Sequence, residues 1–543
     1  MSLQEKLHRL WHGETNGLTA AAVIVGASSL ASRLVGVLRD RALASTFGAG
    51  PELDAYFAAF RVPDLLYSLI IMGALSAGFI PVFTDYLQNK GEKEAWKLAE
   101  QVLSTIGCIT AVVCGLLALF APQIVPLTVP GFTPEQIALT VQVSRIMFLS
   151  PFLLGLSAVM GGVLQALKRF LAFSLAPIFY NLGIIFGTLV LAPRYGVEGV
   201  AWGVALGAFL HLATQAVVAF PLGLRHLRLP TLAAPGVKRI LRQMLPRTLS
   251  LGLTQINLVF LLAIASSLGL GSVAVFNLAN NLQSFPVGII GISFALAATP
   301  FLARSASQKD WTCFRNELSS GLTKIMFFIL PATALFFLLR AQAVRLVLGA
   351  GAFDWSDTIR TANVLGLFVL SLLPQALVPL LARAFFSLEN SRIPLISSAV
   401  AEAVNLALAL LLKDRLGILA LGVSFSVGAF LNAAILFTLL QRRGLGVKSR
   451  EFGLSLLKTL AASIAIIGFG WPVRQFIGTE FPLTTFWQVA LQAAAAGFVG
   501  ITGFVVVAHL LKSREMIEFR RALQRKLLRQ KPQIAGVEEV QGM

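Results

Sequence analysis

Within the first sixty-odd residues, charged side chains stand inside or against apolar sequence: Arg33, Arg39 and Asp40 in "SRLVGVLRD", then Asp54, Arg61 and Asp64 in "PELDAYFAAFRVPDLL". A charge at the middle of a membrane helix costs roughly 2.5–3.5 kcal/mol on insertion scales, so such groups normally face protein or water. The planar fork of arginine suits bidentate bonding to diphosphate oxygens, and a nearby aspartate can hold that fork in place or exchange partners between states. The chemistry implied is capture of an anion, with Arg33, Arg39, Asp40, Asp54 and Arg61 as candidate binding residues. Arg33 and Asp40 are seven apart and share one helix face across Gly36, whereas Arg39 lies about 100° away from Asp40. A second reading stands beside this one for Arg39, Asp40 and Arg41: they end the helix at the interface, where charged heads reach back to water.

The elements that must position these groups are membrane helices. Of 543 residues, 56% are hydrophobic and 13% charged, an apolar share above that of soluble domains. Fourteen apolar runs of about 20 residues recur along the chain, each long enough to cross about 30 Å of hydrocarbon as helix. The first two cover residues 19–46 and 57–84. Strand-period alternation does not persist in them, which leaves helices as the structure that satisfies the backbone in lipid. The expected fold is all-α and polytopic, with about 14 transmembrane helices. Pro63 and Pro81 interrupt the second run, and broken helices are tolerated in lipid where they line a cavity.

The net charge of +19 follows topology, not a nucleic-acid partner. Lys90, Lys93 and Lys97; Lys168 and Arg169; Arg225, Arg228, Lys238, Arg239 and Arg242; and Arg442, Arg443, Lys448 and Arg450 occupy alternate loops. The positive-inside rule then puts both termini in the cytoplasm, as an even span count requires. The basic tail places Phe519, Leu523 and Leu527 on one face and reads either as a surface helix on anionic phospholipid headgroups or as a solvated tail. Cys108, Cys114 and Cys313 lack the spacing of a metal site or disulfide framework and read as packing residues.

Sliding the chain against itself at a shift of 221 pairs "RYGVEGVAWGVALGAFL" from Arg194 with "RLGILALGVSFSVGAFL" from Arg415. The same shift pairs Gly48 and Gly50 with Gly269 and Gly271. Repeats of six spans insert with one orientation and place the substrate between them. The expected organisation is a cytoplasmic amphipathic N-terminus (1–16), an N-lobe (17–228), a basic linker (229–242), a C-lobe (243–446), two further helices (447–511) and a basic tail (512–543). The two six-helix lobes are related by a pseudo-two-fold repeat, the arrangement of an alternating-access carrier.

Glu402 and Asn405 lie three apart on one side of the eleventh predicted span. An acid at that depth reads either as an ion-coupling group or as a protonated carboxyl bonded to a neighbouring helix. There is no Walker loop, His-x-x-x-His pair or nucleophile elbow. The sequence therefore points away from an enzyme and from a resident cofactor or metal. It leaves sodium, protons or the membrane potential as driving forces, and a monomer as the expected state.

The motifs "SRLVGVLRD", "FGAGPELDAYFAAFRVPDLL" and "GALSAGFIPVF" resemble the N-terminal signature of the MurJ/MviN family, lipid II flippases of the MOP exporter superfamily. "PGF" at Pro130, "APIFYN" at Ala176, "FPVGIIGISFALAATPFLA" at Phe285 and "AFFSLENSRIP" at Ala384 extend the likeness over nearly the whole chain. The resemblance implies fourteen helices, a central cationic cavity and movement of an undecaprenyl-diphosphate-linked saccharide lipid to the outer leaflet of a bacterial inner membrane. It implies functional roles for Arg33, Arg39, Asp40 and Asp54, and a cation site near Glu402 and Asn405. The chain departs from the family pattern at four places. Tyr67 and Asn281 stand where the family carries cavity arginines, Met72 where it carries an acid, and Leu261 where some members carry an acid or amide. Arg39 is then the one clamp arginine of three that remains, with Arg33 and Arg61 as candidates to compensate. The alternative is a carrier of the same fold for another polyprenyl-linked glycan or an amphipathic cation, or an inactive homologue. A membrane enzyme or scaffold is the reading from a different class.

Overall fold

The computed structural model describes residues 18–69, 78–224, 228–447, 449–481 and 483–527. The N-terminal segment, Met72 and the end of the tail lie outside them. Every regular element among the described residues is helical. The chain opens with α1 (Leu18–Phe47), α2 (Pro51–Tyr67), α3 (Ile80–Asn89), α4 (Glu92–Leu119) and α5 (Ala121–Thr128). It continues with α6 (Pro134–Met147), α7 (Leu149–Ala166), α8 (Phe170–Phe186), α9 (Ala192–Leu222), α10 (Pro235–Ser266) and α11 (Ser272–Pro286). Then come α12 (Ser293–Ser307), α13 (Trp311–Leu338), α14 (Arg340–Leu348), α15 (Trp355–Leu370) and α16 (Leu372–Ser387). The last elements are α17 (Arg392–Leu416), α18 (Leu419–Arg442), α19 (Ser449–Glu480), α20 (Phe486–Leu510) and α21 (Arg514–Leu527). The protein is a polytopic α-helical membrane protein.

Local chemistry sets several boundaries. Pro51 and Pro134 begin α2 and α6 at positions where a missing N–H is no loss, and Thr133 with Gln136 forms a capping box on α6. Pro63 sits inside α2, where it removes the bond to the Ala59 carbonyl, and α2 gives way to π geometry at Ser68–Leu69.

Among the described residues, nine helical stretches are long and apolar enough to cross a membrane, or ten if α15 and α16, bent by 43° at Ser371, count as one span. The other four of the fourteen expected runs do not pass this test as separate spans among the described residues. The first run carries charges in its second half, and part of the second lies outside the described residues. The fifth and sixth merge into one 53-residue stretch, Phe170–Leu222, broken by the non-helical Gly196. The seventh contributes only Gln255–Ser266 as an apolar helix.

The chain divides into two compact units, each discontinuous in sequence. The first comprises residues to Asn281 with Val344–Leu365 and Glu402–Phe425; the second comprises Leu282–Ala343, Gly366–Ala401 and residues from Ser426 onward. In the first unit, Phe79, Phe83, Trp96, Leu103, Val163 and Ile240 are among the residues of a buried apolar cluster. In the second, Phe327, Leu338, Ile466 and Phe504 do the same, with Phe519 of the tail helix against Phe328 at 5.8 Å between ring centroids. Of the three cysteines expected to pack, only Cys114 is buried; Cys108 and Cys313 are exposed.

One packing contact bears on the site. A Cβ added at Gly183 of α8 would fall 2.3 Å from the Gly207 Cα of α9, and one at Gly203 of α9 would fall 2.6 Å from the Gly187 Cα. Small residues four apart on facing helices let backbones touch where lipid offers no hydrophobic drive for association. This clamp fixes α8, which carries Asn181.

Candidate functional site

Arg39 and Asp40 form the centre of a polar chain inside the first unit. Arg39 Nη2 and Nε donate to Asp40 Oδ1 at 2.7 and 3.0 Å, and its Nη1 donates to Asn181 Oδ1 at 3.0 Å. Asn181 is oriented in turn by its Nδ2, which donates to the Pro177 carbonyl at 3.0 Å. The second Asp40 oxygen accepts from Asn281 Nδ2 at 3.0 Å. The Asp40 side chain is 11% exposed and that of Arg39 24%, so neither ends the helix in water. This excludes the snorkelling reading for both.

Arg61 reaches the same space from α2. Its Nη2 donates to Asn277 Oδ1 at 3.0 Å, and Nη1 stands 4.0 Å from Asp64 Oδ2. Its Nε is buried without a protein partner. Arg39, Leu43, Tyr56, Phe57, Phe60, Arg61, Asp64, Asn277 and Asn281 line a cavity of about 170 Å³. Two guanidinium groups thus share one enclosure with aromatic walls, and each has an amide from another helix to hold its fork.

Other predicted residues stand elsewhere. Asp54 is 1% exposed and accepts from the backbone N–H of Gly271 (2.6 Å) and Ala274 (2.7 Å) at the start of α11. A carboxylate there meets unpaired N–H groups and the positive end of the helix dipole. Arg33 is half-buried on α1 and Tyr67 packs against the small cluster around Leu154 and Ala208; neither lines the cavity. Glu402 accepts from Asn257 of α10 and, at 3.4 Å, from Asn405. Asn405 Oδ1 is buried without a partner, and Leu261, one turn beyond Asn257, is fully buried. Glu402 and Asn405 are therefore together, with one amide oxygen unspent, while an aliphatic residue stands one turn further along the facing helix.

Sequence reasoning missed Asn277, Tyr56, Phe57 and Phe60. Asn277 and Asn281, four apart in "FNLANNL", share a helix face, and that spacing was the available signal. The aromatic residues are indistinguishable in sequence from core.

A multi-span helical protein whose charged side chains converge on an interior cavity belongs, by class, with the membrane carriers. The family described as lipid II flippase MurJ matches residues 43–491. A probable lipid II flippase MurJ of Rhizobium tropici is 32% identical over 439 residues, covering 78% of this chain and 80% of its own. The lipid II flippase MurJ of Burkholderia cenocepacia is 28% identical over 497 residues, covering 88% and 94%. A solved lipid II flippase MurJ in an inward closed conformation matches with a TM-score of 0.76 at 21% identity, over 93% of this chain and 100% of that one. An inward-facing MATE family multidrug transporter of the MOP superfamily matches at 0.66 and 18% identity, over 78% and 98%. These two structures show the fold. The chain belongs to the lipid II flippase MurJ family.

Proposed function

We propose that the protein is a flippase that carries lipid II, an undecaprenyl-diphosphate-linked peptidoglycan precursor, from the cytoplasmic to the outer leaflet by alternating access. The observation that carries this reading is the convergence of Arg39 and Arg61 on one cavity. Charge-assisted bonds to phosphate oxygens are roughly twice as strong as neutral ones. With Asp40 and Asn181, Arg39 engages its Nε and both terminal nitrogens, leaving two of the five N–H bonds of a guanidinium. A diphosphate entering the cavity competes with Asp40 for the fork of Arg39. Arg61, braced by Asn277, supplies the second cation that Tyr67 and Asn281 do not.

A cavity of about 170 Å³ corresponds to roughly six water volumes at ~30 Å³ each. It is far too small for a whole lipid-linked saccharide, so the path must widen during transport. Both termini lie in the cytoplasm of a bacterial inner-membrane protein that works as a monomer without enzymatic chemistry or a resident cofactor. Glu402 and Asn405 are the place for coupling to sodium or protons, with the membrane potential as the other driving force, and the basic tail lies against anionic phospholipid headgroups.

Complementation of a strain depleted of its lipid II flippase tests the assignment. Growth is restored by the wild type, and lost on Arg39→Ala and on Arg61→Ala at equal membrane abundance. A second reading, a carrier of another polyprenyl-linked glycan, is favoured by Tyr67 packing away from the cavity and Asn281 serving Asp40. It predicts that the wild type fails to complement while Tyr67→Arg with Asn281→Arg succeeds.

A further inference from the structure

Beyond the cavity, three loops of the first unit close on one another around the end of α1. Arg41 Nη1 donates to the carbonyls of Leu346 (2.6 Å) and Val347 (3.2 Å) in the last turn of α14. Those carbonyls lack intrahelical donors and form the negative end of the helix dipole, where a guanidinium binds well. One turn on, the Ser45 carbonyl accepts from the Ala352 N–H at 2.8 Å, and the Ala49 N–H donates to Asp357 Oδ2 at 2.9 Å. Arg360 Nη2 donates to the Leu270 carbonyl at 2.9 Å, and Asp54 ties α2 to the start of α11.

The seam is shut at backbone level. A Cβ at Gly351 would stand 2.2 Å from the Ser45 oxygen, and one at Gly271 would stand 1.9 Å from the Ala49 oxygen. Neither contact leaves space for a side chain. With both termini cytoplasmic, this seam lies on the outer face.

Three consecutive residues of one unbroken helix connect the seam to the cavity. Arg39 lines the cavity, Asp40 bridges to Asn281, and Arg41 holds the end of α14. We infer that Arg41 is a positioning residue that latches the outer seam, and that exchange of partners at Arg39 and Asp40 is transmitted to it by rotation of α1. A turn of α1 that draws Asp40 from Asn281 also swings Arg41 across the end of α14, so cargo binding and outer opening share one moving part. The inference rests on the alternating-access reading above, and its test therefore reads conformation without substrate.

In a background with Cys108, Cys114 and Cys313 replaced by serine, Ser45→Cys with Ala352→Cys is treated with a short bifunctional maleimide in proteoliposomes. The parent pair crosslinks efficiently. Arg41→Gln lowers the closed-to-open ratio, and with it the initial crosslinking rate, about tenfold, the effect of losing one hydrogen bond of a charged donor. Arg41→Lys, which keeps a cationic donor, recovers most of the rate at an unchanged Tm. An unchanged rate in Arg41→Gln overturns the latch, as does Arg41→Lys behaving no better than Arg41→Gln. Asn281→Ala approaches from the cavity end and serves if Arg41→Gln does not fold. It slows crosslinking severalfold if α1 transmits the change, and an unaltered rate overturns the coupling. A crosslink pattern as expected in a protein that fails to flip lipid sinks the transport assignment and leaves the latch standing.

Discussion

Asp40 and Asn281, 241 residues apart in sequence, are joined by a 3.0 Å hydrogen bond, and the other oxygen of the same carboxylate holds Arg39. Asn281 is therefore a support for the ion pair. Replacing it with alanine leaves that oxygen without this donor in a buried site, where a hydrogen bond to a charged group is worth about 1.5–3 kcal/mol. Asn281→Ala is expected to lower lipid flipping in reconstituted vesicles about tenfold. Asn281→Arg, which offers Asp40 a stronger donor, retains activity.

Asp54 serves the start of α11 with two bonds to backbone N–H groups. Asp54→Ala leaves both donors buried and removes charge from the dipole terminus, a loss of about 3 kcal/mol. Thermal unfolding in detergent should show a clear fall in Tm, and Asp54→Asn, which keeps one acceptor, a smaller one. Equal stability of Asp54→Ala and wild type would contradict the capping role.

Gly271 and Gly417 both have positive φ, +79° and +55°, but differ in what surrounds them. A Cβ at Gly271 meets the Ala49 oxygen at 1.9 Å, whereas one at Gly417 meets nothing within 4 Å. Gly417→Ala carries only the left-handed backbone strain, about 1–2 kcal/mol. Gly271→Ala must in addition push the α1–α2 turn away. The expected outcome is a folded Gly417→Ala protein and a Gly271→Ala protein that either fails to accumulate or loses the Ser45–Ala352 crosslink.

Asp85, past the end of the second predicted span, accepts from Asn89 (2.6 Å) and from Arg239 (2.7 Å). These two hydrogen bonds, Asn89 first and Arg239 second, hold its carboxyl below the ordinary carboxylate value. A depressed carboxyl contributes stability that is present above its unfolded value and lost as pH falls through its folded one. The contribution is therefore complete at neutral pH and begins to be lost in acid below about 3.8. Asp85→Asn should lower Tm slightly at pH 7, and the difference from wild type should shrink as pH falls below about 3.8. The effect is small because the pair is exposed and screened by salt.

Much of the architecture was legible because lipid imposes length and apolarity on every span. The 221-residue offset also pairs Gly196 with Gly417, and both adopt φ +55°, so the matched letters share a backbone conformation. The partnership of Arg39 with Asp40 could be read from adjacency. That of Arg61 with Asn277 could not, because those residues are 216 apart and no local rule brings α2 to α11. The destination of Asp54 was hidden for a related reason. A carboxylate in the first turn of a helix beside other charges reads as a binding group, and here it serves the start of α11 instead. Tyr67 was conspicuous as a departure from the family pattern, yet its ring packs beside Leu154 and Ala208, a choice made by tertiary packing alone.

The adjacency of Arg39 and Asp40 also matters before the fold exists. Every other partner in the polar chain comes from a helix synthesised later, but these two can neutralise each other as soon as one turn of α1 has formed, as their 2.7 Å contact shows. A lone charge at mid-helix raises the insertion free energy by roughly 2.5–3.5 kcal/mol, whereas a self-compensated pair presents little net charge to the translocon. The helix that carries the pair thus brings its own counterion, and need not wait for α8 or α11 to enter the bilayer.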